Sequence, residues 1–247
     1  MEYTDRFYRQ SYRQADLIHF QAAAAETDLS IGVRKGQYSE GLVAYAEKTI
    51  RDVRRPLEEY IQRDPGFLRA LAPYSPLPDA PEIVRTMAEA GRKANVGPMA
   101  AVAGAIAEVV GKSLAKRSRE VIVENGGDIF LSSGTIRRVG IFAGESALSN
   151  RVALEIRPEE TPLGVCTSSG KVGPSLSFGK TDAVVILSHS AALADAVATA
   201  CGNLVQAADD LERALGLAVG IPGVRGAVII IGGHLAARGK VKLVPAK

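Results

Sequence analysis

The sequence has no tryptophan, and aromatic residues make up only 5% of its 247 positions. Any core must therefore be filled with aliphatic side chains, and a hydrophobic content of 47% supplies enough of them. Cysteine is scarce too: Cys166 and Cys201 stand alone without a CxxC pair, which excludes a disulfide framework and points to a reducing compartment. Net charge is small, 30 Lys and Arg against 27 Asp and Glu for +3, and the two signs are mixed along the chain, so nucleic acid is not an expected partner. No apolar run approaches the roughly 20 residues that span a bilayer, so no membrane role is expected. The first fourteen residues, MEYTDRFYRQSYRQ, are polar and charged and lack the apolar stretch of a secretory signal. A cytoplasmic protein is the expectation. His19, His189 and His234 lie far apart with no cysteine in ligand spacing, which argues against zinc and for structural or surface roles.

What is present alternates between strand and helix patterns. Tyr12 to Phe20 and Asp28 to Val33 read as strands, with Glu26-Thr27-Asp28 as a turn between them. Residues 40–62 carry Leu42, Ala46, Ile50, Val53 and Leu57 at helical spacing, and Pro56 is expected to interrupt the helix or start a new segment. Five prolines between Pro65 and Pro81 predict an irregular loop. Helices are expected at 81–95, 98–117, 190–206 and 207–219. Strands are expected at 121–123, 129–132, 136–142, 151–157, 183–188 and 226–231. In the helix at 98–117 the small residues Ala100, Ala103, Gly104 and Ala107 would let another element approach closely. Strands and long helices mix without a regular βαβ alternation, so the fold class is α+β, with mixed sheets packed against helices. The length suits one domain over 1–247 or two closely joined, interleaved subdomains.

Three constellations could carry chemistry. Glu124-Asn125-Gly126-Gly127-Asp128 ends an apolar strand; its glycines permit positive φ and bring backbone N–H groups close to a ligand, or else form a plain turn. Pro162 to Lys180 is a Ser- and Gly-rich segment with Lys171 and Lys180, whose hydroxyls, N–H groups and ammoniums suit a phosphate; the alternative is a solvated surface loop. Gly173 to Thr181 resembles a P-loop, but five residues rather than four separate the glycines and a strand pattern follows, so a Walker-type NTPase is rejected. Cys166, with no histidine beside it by motif, is a poor candidate nucleophile. Asp195 and Thr199 are four apart on one face of an Ala-rich helix, an oxygen-only corner of the kind Mg2+ accepts. The structural alternative is a helix-dipole aspartate and a back-bonding threonine.

The order of these segments resembles the ApbE superfamily of FAD:protein FMN transferases. The counterparts are Met99 to Val110, Val121 to Ile129, Thr167 to Gly170, and Ala194 to Thr199, covering roughly the C-terminal 60% of the chain. The segments ETDL, VGPMAAVAGAIAE, ENGGDI, CTSSG and LSFGK are similar to those of an uncharacterised bacterial and archaeal branch of that superfamily. The resemblance implies an ApbE-like fold and a Mg2+ site at Asp195 and Thr199, completed by a backbone carbonyl near Ala100 to Gly104. It also implies a cleft for FAD or another phosphate-bearing small molecule, lined by Asn125, Gly126, Gly127, Asp128, Thr167, Ser168, Ser169 and Gly170. Two departures stand out. Ala103 occupies the place of a transferase lysine, and KVGPSLSFGKTDAVV lacks the His-containing segment that ends in Asp-Pro. Three readings follow: a Mg2+-dependent transferase or hydrolase acting on a flavin nucleotide, a non-catalytic nucleotide-binding protein, or an ApbE-like scaffold for an unrelated small molecule. In the first, Lys171 or Lys180 would stabilise the departing phosphate. A homodimer is the default assembly.

Overall fold

The computed structural model describes residues 14–170 and 179–246. Its centre is an eight-stranded antiparallel sheet in the order β1-β2-β3-β4-β7-β8-β9-β10. The strands are β1 (Leu17–Ala24), β2 (Thr27–Arg34), β3 (Val121–Asn125), β4 (Asp128–Ser132), β7 (Leu163–Ser168), β8 (Ala183–Ser188), β9 (Val224–Ile231) and β10 (His234–Gly239). A second sheet pairs β5 (Arg137–Gly140), β6 (Val152–Ile156) and β11 (Leu243–Pro245) in the order β11-β6-β5. The helices are α1 (Glu40–Arg63), α2 (Pro65–Arg69), α3 (Glu82–Ala94), α4 (Val102–Ala115), α5 (Ala191–Leu204) and α6 (Leu211–Gly220). The class is α+β, as the mixture of periods predicted.

Alternation along the central strands sends side chains to two different cores. Val123, Phe130, Cys166, Val184 and Ile186 face the helices, whereas Leu131, Leu163, Val165, Val185 and Ile230 join Ile141, Leu154 and Ile156 near the small sheet. The helical face is packed closely by glycine. A Cβ on Gly164 would lie 2.4 Å from Ala191 Cα, and one on Gly104 would lie 2.3 Å from the Ala191 carbonyl oxygen. Thus α5 lies directly over β7 and against the start of α4. Pro98–Ala115 is 18 residues long with mean hydropathy 1.3, and 56% of it is buried inside the protein, as befits a core helix.

Three expectations are corrected. Pro56 does not break α1, which runs unbroken from Glu40 to Arg63 with Ser39 as its N-cap. The buried stripe Leu42, Ala46, Ile50, Val53, Leu57 and Tyr60 holds the helix through the one amide that proline cannot donate. The segment after Pro162 begins not as loop but as strand β7, buried between β4 and β8. Pro65 also starts a short helix before the proline-rich stretch turns irregular.

One polar knot, centred on the buried Arg137, joins the two sheets. Arg137, 3% exposed, donates to Asp16 at 2.7 and 2.9 Å, to Glu120 at 2.9 Å and to Ser133 Oγ at 3.0 Å. Burial alone would raise the Glu120 pKa; hydrogen bonds from Ser133, Arg137 and the Gly134 N–H outweigh it and leave the carboxyl below its ordinary 4.5. A carboxyl depressed in the folded state adds stability that is complete above its unfolded pKa and is lost as pH falls through the folded one. Urea unfolding of the wild type should therefore weaken below about pH 4.5. A Glu120→Gln variant should show a shallower acid limb; parallel limbs would mean that Glu120 is not held as an anion.

Candidate functional site

The site forms where the β3–β4 hairpin, the end of β7, the start of α4 and the first half of α5 converge. The hairpin is a two-residue turn, Gly126-Gly127, with φ of 66° and 107°. Positive φ at both positions is the geometry whose twist matches the flanking strands, and glycine adopts it without steric cost. Asn125 and Asp128 are therefore cross-strand partners, and Glu124 folds over the turn to accept the Gly127 N–H at 2.9 Å. The tight turn also brings Gly127 beside Thr167: a Cβ there would lie 3.5 Å from the Thr167 carbonyl oxygen.

Helix α5 is located by its own sequence and by α4. Ser190 is its N-cap, accepting from the Leu193 N–H. Glu108, on α4, accepts from Ser190 Oγ at 3.0 Å and from the Ala192 N–H at 3.3 Å, so a carboxylate meets the positive end of α5. Lys112 pairs with the same carboxylate at 2.5 Å. Asp195, one turn further along α5, accepts the Gly104 N–H at 2.9 Å. The interaction is reciprocal in form: Glu108 of α4 caps α5, and Asp195 of α5 caps α4. The aspartate is thus a partner of a neighbouring helix's dipole rather than of its own.

Opposite Asp195 stands Asp128. It is 7% exposed, and its Oδ1 is buried with no hydrogen-bond partner. Burial, then the negative charge of Asp195, raises its pKa well above the carboxylate range; the Cys166 thiol and the Thr167 N–H pull the other way, and Glu124 adds to the rise. Asp195 is itself pushed up to about 7 by burial, against the pull of the Gly104 and Ala103 N–H groups. Cys166, fully buried, donates to the Ala191 carbonyl at 3.2 Å, and burial with two carboxylates nearby raises its thiol well above normal. A buried, hydrogen-bonded thiol of this kind is a poor nucleophile. Asn125 Nδ2 donates to the Ala103 carbonyl at 3.1 Å, tying the hairpin to the first turn of α4.

The residues singled out by sequence divide accordingly. Asn125, Asp128 and Asp195 come together, with Gly127 beside Thr167; Ser168 is buried nearby in β7. Thr199 is partly exposed one turn beyond Asp195 on α5. Gly126 is exposed at the tip of the turn. Gly170 pairs instead with Thr181, donating at 3.0 Å, and Ser169 reaches the same carbonyl at 3.5 Å. Lys180 is exposed, its N–H bound to Val205 at 3.0 Å just past the end of α5; Lys171 lies outside the described residues. Sequence reading missed Glu108, a lone carboxylate in a helix of small apolar residues, and the structural use of Cys166. His189 is held between the Pro162 carbonyl and Arg225, each at 3.1 Å, away from the aspartates.

Among the described residues no three His, Cys, Asp or Glu side chains are gathered for a metal ion. A zinc-type cage is therefore absent there. Two raised carboxylates, one with an unpartnered oxygen, do fit a hard cation that takes its remaining ligands from a hydroxyl, a carbonyl, water or phosphate. A separate groove of about 600 Å³ at the β1–β2 turn carries Arg51, Arg54 and Arg55. Its most covered arginine, Arg54, is already paired with Glu26 and Glu58, so it offers less to an anion.

A helical layer over an antiparallel sheet, with a Gly-Gly hairpin facing an aspartate-bearing helix, defines the protein as ApbE-like. The flavin transferase ApbE from Vibrio cholerae superposes with a TM-score of 0.55 at 14% identity, covering 92% of this chain and 97% of that one. The apo flavinyl transferase ApbE of Pseudomonas stutzeri does so with a TM-score of 0.52 at 16% identity, covering 90% and 94%. Such identities speak for the fold alone. In sequence, the family model for AbpE bacteria matches residues 9–236. A UPF0280 protein of Methanocella arvoryzae is 48% identical over 194 residues, 78% of this chain and 79% of the relative. Another from Methanocaldococcus jannaschii is 42% identical over 207 residues, 82% and 84%. The chain belongs to this family, AbpE bacteria, together with its UPF0280 relatives.

Proposed function

We propose that the chain is a single ApbE-like domain that binds a flavin or other pyrophosphate-bearing nucleotide together with Mg2+, between the Gly-Gly hairpin and α5. The observation that carries this reading is the convergence of Asp195 with Asp128, whose buried Oδ1 lacks a partner. Asp195 and Thr199 would hold the cation, with a carbonyl from the Ala100–Gly104 turn. Asn125, Gly126, Gly127 and Asp128, with Thr167, Ser168, Ser169 and Gly170, would line the nucleotide. Bound Mg2+ would supply charge neutralisation at the phosphates. Lys180, and Lys171 beyond the described residues, are the cations available for a phosphate oxygen. Because the names of the solved neighbours concern flavin transfer, FAD is the first ligand to test.

A binding role without transfer is favoured by two features of the chain. Ala103 brings no ammonium to the first turn of α4, and no histidine stands between Gly170 and Ser188. The cytoplasm and a homodimeric state complete the reading.

The test is titration of the purified protein with FAD, FMN and ADP, with and without Mg2+. Binding of FAD should strengthen with Mg2+, and Asp195→Ala should abolish the Mg2+-dependent part, about tenfold or more. Release of AMP or FMN would mark a transferase or hydrolase, and binding without turnover the non-catalytic form. No affinity for any of the three in the folded protein would remove nucleotides from the reading.

A further inference from the structure

The resemblance assigns the cation to α5, through Asp195 and Thr199. The geometry adds a residue from the opposite wall. Asp128 opens β4 with its side chain on the helix-facing side, in step with Phe130 two residues on. That side of the sheet is covered by α4 and α5, so the carboxylate points into the protein rather than into solvent. Its neighbours are fixed from three directions. Asn125 across the hairpin is tied to Ala103, Cys166 in the adjacent strand is tied to Ala191, and Gly104 next to Ala103 is tied to Asp195. These bonds gather the start of α4, the first turns of α5 and the head of β4 around one point. The negative charge of Asp195 acts on Asp128 there, so the two meet as like charges.

An acidic pair with one buried, unpartnered oxygen is unfavourable unless something positive sits with it. A proton or a cation would do so. The side-chain groups with lone pairs to offer at that point are the two carboxylates, and the Cys166 thiol beside them donates to the Ala191 carbonyl. We infer that Asp128 is a ligand of the same hard divalent cation, so that Mg2+ or Mn2+ is clamped between β4 and α5 rather than carried by α5 alone. This inference rests on the metal-binding reading above and changes its consequence: the cation would join the sheet to the helix layer across the cleft.

Mn2+ binding by the full chain, followed by the EPR signal of free Mn2+ with and without ADP, tests it. Wild type should bind one Mn2+, and Asp128→Asn should weaken that binding about tenfold or more, as Asp195→Asn does. The metal-free Asp128→Asn protein should melt no lower than wild type, because one of two like charges is gone. Should that variant fail to fold, Asp128→Glu keeps the charge but moves it by a methylene; changed Mn2+ affinity is expected, and unchanged affinity overturns the inference. If Asp195→Asn loses Mn2+ while Asp128→Asn binds it as wild type does, Asp128 is no ligand and the metal reading stands without it. If wild type binds no Mn2+ even with ADP, both readings fall.

Discussion

Replacing Arg137 with methionine is expected to destabilise the protein by about 3–5 kcal/mol, the cost of breaking a buried ion pair from one side. The guanidinium is 3% exposed and is shared by Asp16 and Glu120, with Ser133 completing its hydrogen bonds. Methionine fills much of the volume but leaves Glu120, 8% exposed, without its counter-charge. Most of the loss is the penalty on that stranded carboxylate, not the worth of the pair. The double variant Arg137→Met/Glu120→Gln should therefore recover a large part of it, and the coupling energy from a urea-unfolding cycle measures how much. A loss below about 1 kcal/mol for Arg137→Met would place the knot in the class of exposed pairs instead. The effect also reaches beyond the strand. Asp16 precedes β1, Glu120 precedes β3, Ser133 follows β4 and Arg137 opens β5, so the knot fixes the small sheet to one end of the large one.

None of that knot was legible in the sequence, because its four members are joined only by the fold. Local periodicity read well where one face is buried: the stripe Leu42, Ala46, Ile50, Val53 and Leu57 of α1 is the stripe the helix buries. It failed where tertiary packing overrode a local signal. Pro56 lacks an N–H, yet it sits on a face of α1 that is not fully buried, so packing carries the helix across it. Leu163–Ser168 was hidden by Ser- and Gly-rich neighbours; as a strand buried on both faces it shows no alternation. The candidate site was legible in parts. The Gly-Gly hairpin and the Asp/Thr face of α5 carry their chemistry in local spacing. That Asp128 comes together with Asp195, and that Glu108 caps α5, depend on two helices crossing at Gly104, which spacing alone could not give. The small residues of α4 announced a close approach without naming the partner.

That close approach has a direct consequence for Gly104→Ala. In an exposed helix this change would stabilise by up to about 1 kcal/mol, because alanine is the better helix former. Here the new methyl would lie 2.3 Å from the Ala191 carbonyl oxygen, 2.8 Å from its carbon and 2.9 Å from Asp195 Cβ. Two of those atoms are backbone at the start of α5, so no rotamer relieves the clash; the helices must separate. Overpacking of this kind costs about 1–3 kcal/mol, and the forfeited propensity gain makes the net loss the more telling. Gly216→Ala in α6 is the control: its methyl would meet only the far end of the Arg238 side chain at 3.5 Å, so it should be neutral or stabilising. The Gly104 variant should also disturb the site, because the Gly104 N–H that Asp195 accepts at 2.9 Å moves with α4. Thermal unfolding with and without Mn2+ separates the two effects. A lowered melting temperature together with a diminished Mn2+-dependent rise is expected. A lowered melting temperature with the full Mn2+ response would mean that the helix crossing supports the fold without setting the position of Asp195.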